Sequence, residues 1–206
     1  MSTYIIPNGD LLAAARSFNL INAFAHGANC WQVMGSGIAK YVAEFTDIRQ
    51  VDSLDERSPE DRLGKLTYAY DYKSGVHGFN LYTQFYPGPN ARMPHIISAV
   101  ESMLEVIHDL VEAKDDEVVY VGLPAIGCGI GGLNLVEVVK NVHALCATHY
   151  DDCKRRVIPV FYIMEGQRFA TEIAALSAWG GVIPAFPNDL LYVVESEAEI
   201  IEMEGE

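Results

Sequence analysis

The chain has 206 residues, half of them apolar, and a formal net charge of −14 at pH 7. This length accommodates one domain with a substantial core, with or without an appendage. The charge argues against a nucleic-acid backbone as the main partner, because phosphate recognition requires a basic face. No apolar run is long enough to span a membrane, and no basic-then-apolar leader opens the chain. These features predict a soluble, cytoplasmic protein without a membrane partner.

The four cysteines are predicted to be reduced thiols. They show neither C-x-x-C spacing nor paired histidines nearby, and they are Cys30, Cys128, Cys146 and Cys153. We therefore expect no zinc site, no disulfide framework and no cofactor.

The first half of the chain alternates apolar runs with turn residues and helical patterns. The predicted elements are a strand (3–6), a short helix (11–16), an apolar run (20–25), a helix opened by a glycine turn (38–45), a polar surface segment (47–62) and two aromatic-rich strands (64–71 and 79–86). Asp10 stands where the short helix begins, which is the place of an N-cap. A breaker, Pro87–Asn90, closes this half.

The second half is predicted to alternate helices and strands. An amphipathic helix (96–111), a strand buried on both faces (118–121), a helix (133–150) and an apolar strand (157–164) follow in order. Such alternation favours a largely parallel sheet with helices on both faces. Residues 1–166 are predicted to form this domain. Residues 167–206 are predicted to form an appendage, with a helix (169–179), a breaker-rich connection (180–187), an edge strand (190–194) and a solvated or frayed tail rich in glutamate.

Residues 127–132 contain four glycines and join a strand to a helix. Backbone N–H groups at such a turn suit a phosphate or diphosphate, although a tight turn without a ligand is the simpler alternative. The spacing formally fits the dinucleotide fingerprint G-x-G-x-x-G. However, the acidic residues with suitable spacing, Asp151 and Asp152, precede the next strand, and a second glycine turn at Gly35–Gly37 has no role in that pattern. Two facing loops on one parallel sheet instead indicate a site for a nucleotide diphosphate.

Three motifs together resemble the macro domains. They are residues 8–12 (Asn-Gly-Asp-Leu-Leu), the loop 29–39 and the loop 124–133, and the likeness covers about residues 1–165. The resemblance implies a three-layer α/β/α fold with a mostly parallel central sheet that binds ADP-ribose or its derivatives. Residues 26–30 followed by 34–39 look most like a branch that contains ADP-ribose 1''-phosphate phosphatases, terminal ADP-ribose–glutamate hydrolases and bacteriophage relatives.

The branch leaves three functions open. The phosphatases carry a histidine ahead of the asparagine, and His26 matches it, which implies a phosphatase acting on ADP-ribose 1''-phosphate. The hydrolases carry a lysine and an aspartate where this chain has Gln84 and Gly131. The alternatives are a module that binds ADP-ribose without turning it over and a hydrolase that acts on ADP-ribosylated macromolecules.

The resemblance implies a role for each matching residue. His26 and Asn29 would be catalytic, His26 through proton transfer or by orienting water and Asn29 by holding the distal ribose, unless they are a core histidine and a turn asparagine. Asp10 would accept from the adenine amino group or only cap its helix. Tyr162 would stack on adenine, with Phe161 as the alternative, because neighbouring strand residues face opposite sides.

The remaining implied contacts come mostly from the backbone. N–H groups of residues 127–131 would bind the diphosphate and the terminal phosphate, with the Cys128 side chain as a packed spacer. Thr83 and Gln84 are expected near the site, where they would position water. The implied ligand-binding residues are Asp10, Leu11, Ala28, Asn29, Gly35, Ser36, Gly37, Ile38, Ile126, Gly127, Cys128, Gly129, Ile130, Gly131 and Tyr162.

Overall fold

The computed structural model describes residues 1–17, 19–110, 118–153, 156–164, 168–178, 182–183 and 186–205. The strands are β1 (Ser2–Pro7), β2 (Ala23–Asn29), β3 (Leu66–Asp71), β4 (Val76–Gln84), β5 (Val119–Leu123), β6 (Val157–Ile163), β7 (Val182–Ile183) and β8 (Phe186–Val193). The helices are α1 (Leu11–Ser17), α2 (Gly37–Phe45), α3 (Ile48–Leu54), α4 (Pro59–Arg62), α5 (Met93–Leu110), α6 (Leu135–Cys153), α7 (Ala170–Ser177) and α8 (Glu197–Glu204).

The described strands form one sheet in the order β3-β4-β2-β5-β6-β1-β8-β7. All pairings between β4 and β8 are parallel, whereas the outer pairs β3–β4 and β7–β8 are antiparallel. The mostly parallel sheet predicted from the alternating pattern is confirmed. The carboxyl ends of the central strands β2, β5 and β6 therefore meet along one edge, where a ligand site is expected.

Two apolar clusters, one on each face of the sheet, form the core. Helices α5, α6 and α7 pack on one face, and helices α1, α2, α3 and α8 pack on the other. Strand β6 shows the alternation that this requires, since Phe161 belongs to the first cluster and Tyr162 to the second. The predicted three-layer α/β/α fold is confirmed.

Strand β2 begins and ends later than its apolar run. The run covers residues 20–25, but β2 spans Ala23–Asn29, so that His26, Ala28 and Asn29 all lie within the strand. The strand continues through these residues because they pair in parallel with β4 as far as Gln84. The polar His26 is tolerated there because Asn80 on β4 satisfies it.

The glutamate-rich end of the chain is a helix and not a frayed tail. Helix α8 buries Ile200, and the Glu204 carboxylate accepts hydrogen bonds from the Tyr4 hydroxyl (2.5 Å) and from Arg156 (2.9 Å). The predicted strand at residues 190–194 corresponds to β8, which pairs with β1 on one side and with β7 on the other. The segment expected to be an appendage thus continues the same sheet.

Parts of four sequence predictions lie outside the described residues. They are the end of the long helix at Val111, the end of the C-terminal helix at Trp179, much of the breaker-rich connection at 180–187 and the last residue of the tail, Glu206. Among the described residues, no helix combines the length and apolarity that crossing a membrane requires.

Candidate functional site

The glycine loop between β5 and α6 folds tightly against α5. Gly127 has a φ of +72°, and a Cβ there would lie 2.7 Å from Cδ1 of Ile96. A Cβ on Gly131 would lie 2.4 Å from the carbonyl oxygen of Gly127 and 2.6 Å from Cβ of Ala91. Leu133 N donates to the Gly127 carbonyl (3.0 Å) and closes the loop. Positive φ at Gly127 and close contacts at both positions explain the glycines.

The Cys128 side chain lies inside this loop and is not poised for reaction. It is buried, and its thiol donates to the Ile126 carbonyl oxygen at 3.3 Å. Burial raises the pKa of the Cys128 thiol to about 12, so the nucleophilic thiolate is scarce at neutral pH. The buried and hydrogen-bonded thiol agrees with the predicted role of the Cys128 side chain as a packed spacer.

The loop after β2 is organised by Asn29. Its Oδ1 accepts from the backbone N–H groups of Trp31 and Val33, both at 3.2 Å, and its Nδ2 donates to the Val33 carbonyl at 2.7 Å. Helix α2 then begins at Gly37, whose φ is +55°. Asn29 therefore has the turn-closing role considered as its alternative, and it also lines the cleft described next.

The two loops line a cleft of two adjoining cavities at the carboxyl ends of the central strands. The smaller, of about 150 Å³, lies towards the ends of β2 and β4, and the larger, of about 470 Å³, lies towards the end of β6. Both cavities are lined by Gly37, Ile38, Pro124, Ala125, Gly129 and Ile130. Residues of the two loops thus meet at the junction of the cavities, as the sequence predicted.

The cleft is electrostatically distinct from the rest of this acidic chain. Two cationic residues, Lys40 and Arg168, line the larger cavity. A guanidinium nitrogen of Arg168 donates to the Gly129 carbonyl oxygen at 3.2 Å, which holds this side chain at the second glycine loop. No carboxylate is among the described residues that line either cavity. Such a cleft attracts an anion in a protein whose net charge is −14.

Most of the predicted ligand residues line the cleft, and a few do not. Those that line one or both cavities are Leu11, Asn29, Ser36, Gly37, Ile38, Ile126, Gly127, Gly129, Ile130, Gly131 and Tyr162. Gly35 is exposed beside the cleft, Ala28 packs against Cys30 and Tyr82, and Cys128 is buried within its loop. Thr83 and Gln84, expected near the site, both line the smaller cavity.

The structure does not bring His26 to the cleft. Its side chain is 0 % exposed, its Nε2 donates to Oδ1 of Asn80 at 2.7 Å, and its Nδ1 lies 3.1 Å from the Gly27 carbonyl oxygen. Asn80 is itself fixed, because its amide donates to Ile48 and Thr67. Burial lowers the pKa of His26, while the contacts with Asn80 and Gly27 act in the opposite direction. These contacts describe a satisfied core histidine and give no support to a role in proton transfer.

Asp10 caps helix α1 and borders the cleft. Its Oδ1 accepts from the backbone N–H groups of Leu12 (3.0 Å) and Ala13 (3.1 Å). The residue also lines a shallow third cavity that shares Gly9 and Tyr162 with the larger one. The capping role is therefore present, and the position leaves a ligand role open.

Two aromatic residues from the last part of the domain line the larger cavity, Tyr162 of β6 and Phe169 at the start of α7. Of the two alternatives, Tyr162 lines the cavity, whereas Phe161 is in the core between the sheet and α5–α6. Tyr162 is only 3 % exposed, and its hydroxyl donates to Glu197. Phe169, which sequence reasoning assigned only to a helix, lines the same cavity and has Arg168 over its ring at 5.5 Å.

Sequence comparison finds a phage relative. The chain is 35% identical over 128 residues to an uncharacterized 17.5 kDa protein of Enterobacteria phage T4, covering 58% of this chain and 78% of that protein. No protein-family model matches the sequence.

Structure comparison finds macrodomains. The macrodomain of Mycobacterium tuberculosis DarG matches with a TM-score of 0.56 and 21% identity, over 79% of this chain and 97% of that one. A Trypanosoma brucei macrodomain in complex with ADP-ribose matches with a TM-score of 0.59 and 8% identity, over 84% and 68%. The chain has the macrodomain fold. Thermosipho africanus DarTG in complex with ADP-ribose also matches this chain, with a TM-score of 0.53 and 16% identity over 77% of this chain and 41% of that one.

Uncharged groups line the smaller cavity of this macrodomain. Its polar side chains are those of Asn29, Ser36, Thr83 and Gln84, and no histidine, lysine, arginine or carboxylate is among its described lining residues. The remaining polar groups there belong to the backbone of the two loops. This cavity is suited to hydrogen bonding and offers few groups for acid–base chemistry.

Proposed function

We propose that this macrodomain binds ADP-ribose along the cleft, with adenosine in the larger cavity and the terminal ribose in the smaller one. The observation that carries the proposal is the junction of the cavities, where Gly37 of one loop and Gly129 of the other line both. The diphosphate would lie there, because helix N-termini and glycine loops present backbone N–H groups to phosphate oxygens. The ADP-ribose complexes of the Thermosipho and Trypanosoma proteins support this choice of ligand.

The charges of the cleft support an anionic ligand. Lys40 and Arg168 line the cavity that adjoins the proposed diphosphate position, and both are cations. A diphosphate that lies between these side chains gains a favourable electrostatic interaction, which surface exposure and salt weaken.

The larger cavity has the apolar walls that adenine requires. Leu11, Tyr41 and Phe169 line it, and stacking of a base on an aromatic ring contributes about 1–3 kcal/mol. We assign the stacking contact to Phe169 in place of Tyr162. The Tyr162 ring is covered by Gly9, at which a Cβ would lie only 3.0 Å from Cδ1 of the tyrosine.

Calorimetry with ADP-ribose tests this function. We expect saturable heat with the unmodified chain and none with Gly129→Leu, since Gly129 lines both cavities and a Cβ there meets nothing within 4 Å. Thr148→Leu is the matched control, because it adds the same side chain at an exposed position of α6. Absence of heat with the unmodified chain at millimolar ADP-ribose, or equal binding by Gly129→Leu, would refute the proposal.

Hydrolysis of ADP-ribose 1''-phosphate is the second candidate. The observation that favours it is that the start of α2 and residues 129–131 line the smaller cavity. Their backbone N–H groups would stabilise phosphoryl charge there. The lack of an acid or base among the described lining residues makes binding without turnover the function that the geometry supports best. Phosphate release from ADP-ribose 1''-phosphate, measured against Asn29→Ala, distinguishes the two.

The third candidate, hydrolysis of ADP-ribosylated macromolecules through a lysine adduct, is not proposed. Gln84 lines the smaller cavity where the resembled hydrolases carry a lysine, and Gly131 offers no carboxylate.

We also propose a reducing, cytoplasmic location. The thiols of Cys30, Cys128 and Cys146 are free and buried, which supports this location.

A further inference from the structure

A bulge interrupts the pairing of β2 with β4 at the smaller cavity. Ala28 pairs with Tyr82 and Asn29 pairs with Gln84, so that Thr83 is an extra residue without a partner on β2. Bulges of this kind re-aim a side chain and are frequent beside functional sites. Thr83 thus occupies a position that regular pairing would not produce, and it lines the cavity.

The Thr83 hydroxyl is buried without a partner. The residue is 0 % exposed, and its Oγ1 has no hydrogen bond to any described residue. Other polar side chains of the same strand are satisfied: Asn80 bonds to His26, Ile48 and Thr67, and the Tyr82 hydroxyl donates to Asp52 at 2.7 Å. A buried hydroxyl without a partner costs free energy, and valine has the same branched shape without that cost. This cost is offset if the Thr83 hydroxyl forms a hydrogen bond to a bound ligand.

The space in front of this hydroxyl is kept open by a glycine. A Cβ on Gly27, in the adjacent strand, would lie 3.0 Å from Oγ1 of Thr83 and 3.3 Å from Cγ1 of Ile126. Gly27 lines the same cavity, so any side chain there would narrow it in front of the hydroxyl. Thr83 therefore lies at the wall of the cavity, and its hydroxyl faces the position that a side chain at Gly27 would occupy.

We propose that Thr83 is the residue by which the smaller cavity recognises a sugar hydroxyl of the terminal ribose. This inference rests on the proposed function and deepens it, since it assigns to one side chain the preference for ADP-ribose over ADP. A hydroxyl both donates and accepts, which suits another hydroxyl. The other polar side chains of the cavity, among them Asn29 and Gln84, are uncharged as well. Thr83 is a specificity residue and takes no part in bond making.

Calorimetry of Thr83→Val with ADP-ribose and with ADP tests the inference. We expect the affinity for ADP-ribose to fall about 2- to 12-fold, the effect of one hydrogen bond, and the affinity for ADP to stay unchanged. Thr83→Ser should restore the preference. The thermal midpoint of Thr83→Val should equal or exceed that of the unmodified chain, because no protein hydrogen bond is lost.

Thr67→Val is the matched control. The Thr67 hydroxyl accepts from Nδ2 of Asn80 at 2.9 Å, so this variant should lower the thermal midpoint and leave the ratio of the two affinities unchanged. If Thr83→Val does not fold, Gly27→Ala tests the same contact from the opposite strand and should reduce the ADP-ribose affinity selectively.

The outcomes separate the two proposals. If the unmodified chain binds neither ADP-ribose nor ADP, the proposed function is overturned and the inference with it. If it binds ADP-ribose and Thr83→Val keeps the same ratio of affinities, the inference is overturned while the proposed function stands.

Discussion

Replacing Gly131 with alanine tests whether the loop between β5 and α6 gives the cleft its shape. The added Cβ would lie 2.4 Å from the carbonyl oxygen of Gly127 and 2.6 Å from Cβ of Ala91. Neither neighbour is the flexible end of a side chain, so the backbone of the loop must move by about 1 Å to reach ordinary contact distances. Overpacking of this kind costs about 1–3 kcal/mol.

For a chain of this size the cost corresponds to a fall in thermal midpoint of about 2–12 °C. Because Gly127, Gly129, Ile130 and Gly131 line the smaller cavity, the moved loop should also lower the affinity for ADP-ribose. Differential scanning calorimetry with and without the ligand measures both effects. Gly129→Ala is the stability control, since its Cβ would meet nothing within 4 Å.

Equal thermal midpoints for Gly131→Ala and Gly129→Ala would refute the packing argument. Gly131→Asp carries the residue that the resembled hydrolases have at this position, and its Cβ meets the same two obstacles. We therefore expect this variant to be destabilised as well, and to gain no hydrolase activity.

Three further predictions concern single side chains. Burial lowers the pKa of His26, so the folded state disfavours a proton that the unfolded state accepts below about pH 6.5. The free energy of unfolding should therefore fall as the pH drops below that value, and the slope of the urea midpoint against pH should be smaller in His26→Gln. Arg168→Gln should lower the ADP-ribose affinity about 2- to 5-fold and weaken its salt dependence. Lys140→Gln, which removes a cation of α6 that lines neither cavity, should change neither in a titration at two salt concentrations. Asp10→Asn keeps an N-cap and should leave the thermal midpoint unchanged while reducing the ADP-ribose affinity; Asp10→Ala should lower both, and an unchanged affinity in Asp10→Asn would limit Asp10 to capping.

The layers of the fold and the two loops were predictable because their signals are local. Alternation of apolar residues fixes which strand residues face each layer, as Phe161 and Tyr162 show. Glycine is favoured where φ is positive or another group comes close, so the clusters at 35–37 and 127–132 mark the loops directly. The resemblance then placed both loops at one site.

The remaining features depend on contacts between distant parts of the chain. His26 was a catalytic candidate because it matches the histidine of the resembled phosphatases. Its partner, Asn80, lies 54 residues away, and no sequence pattern links the two. The role of Thr83 follows from a shift in strand register, which apolar alternation does not reveal. Phe169 carried one usable signal: an aromatic residue soon after the carboxyl end of a parallel strand, where ligands of open sheets bind.

The acidic C-terminus misled sequence reasoning for a related reason. Closely spaced glutamates repel one another, which favours a solvated tail when no partner is near. In the folded chain Glu204 bonds to Tyr4, 200 residues away, and to Arg156. These two contacts, together with the buried Ile200, stabilise α8 on the protein.

Strand β8 covers an edge that the amino-terminal strand β1 would otherwise expose. Leu190 N donates to the Met1 carbonyl and Val194 N donates to the Ile5 carbonyl, so β8 covers one side of β1 from Ser2 to Ile5. A chain shortened at residue 166 would leave β1 with a row of unpaired backbone groups open to a second molecule. Edges of that kind template aggregation, and a minimal fragment for biochemical work must therefore retain the C-terminal residues.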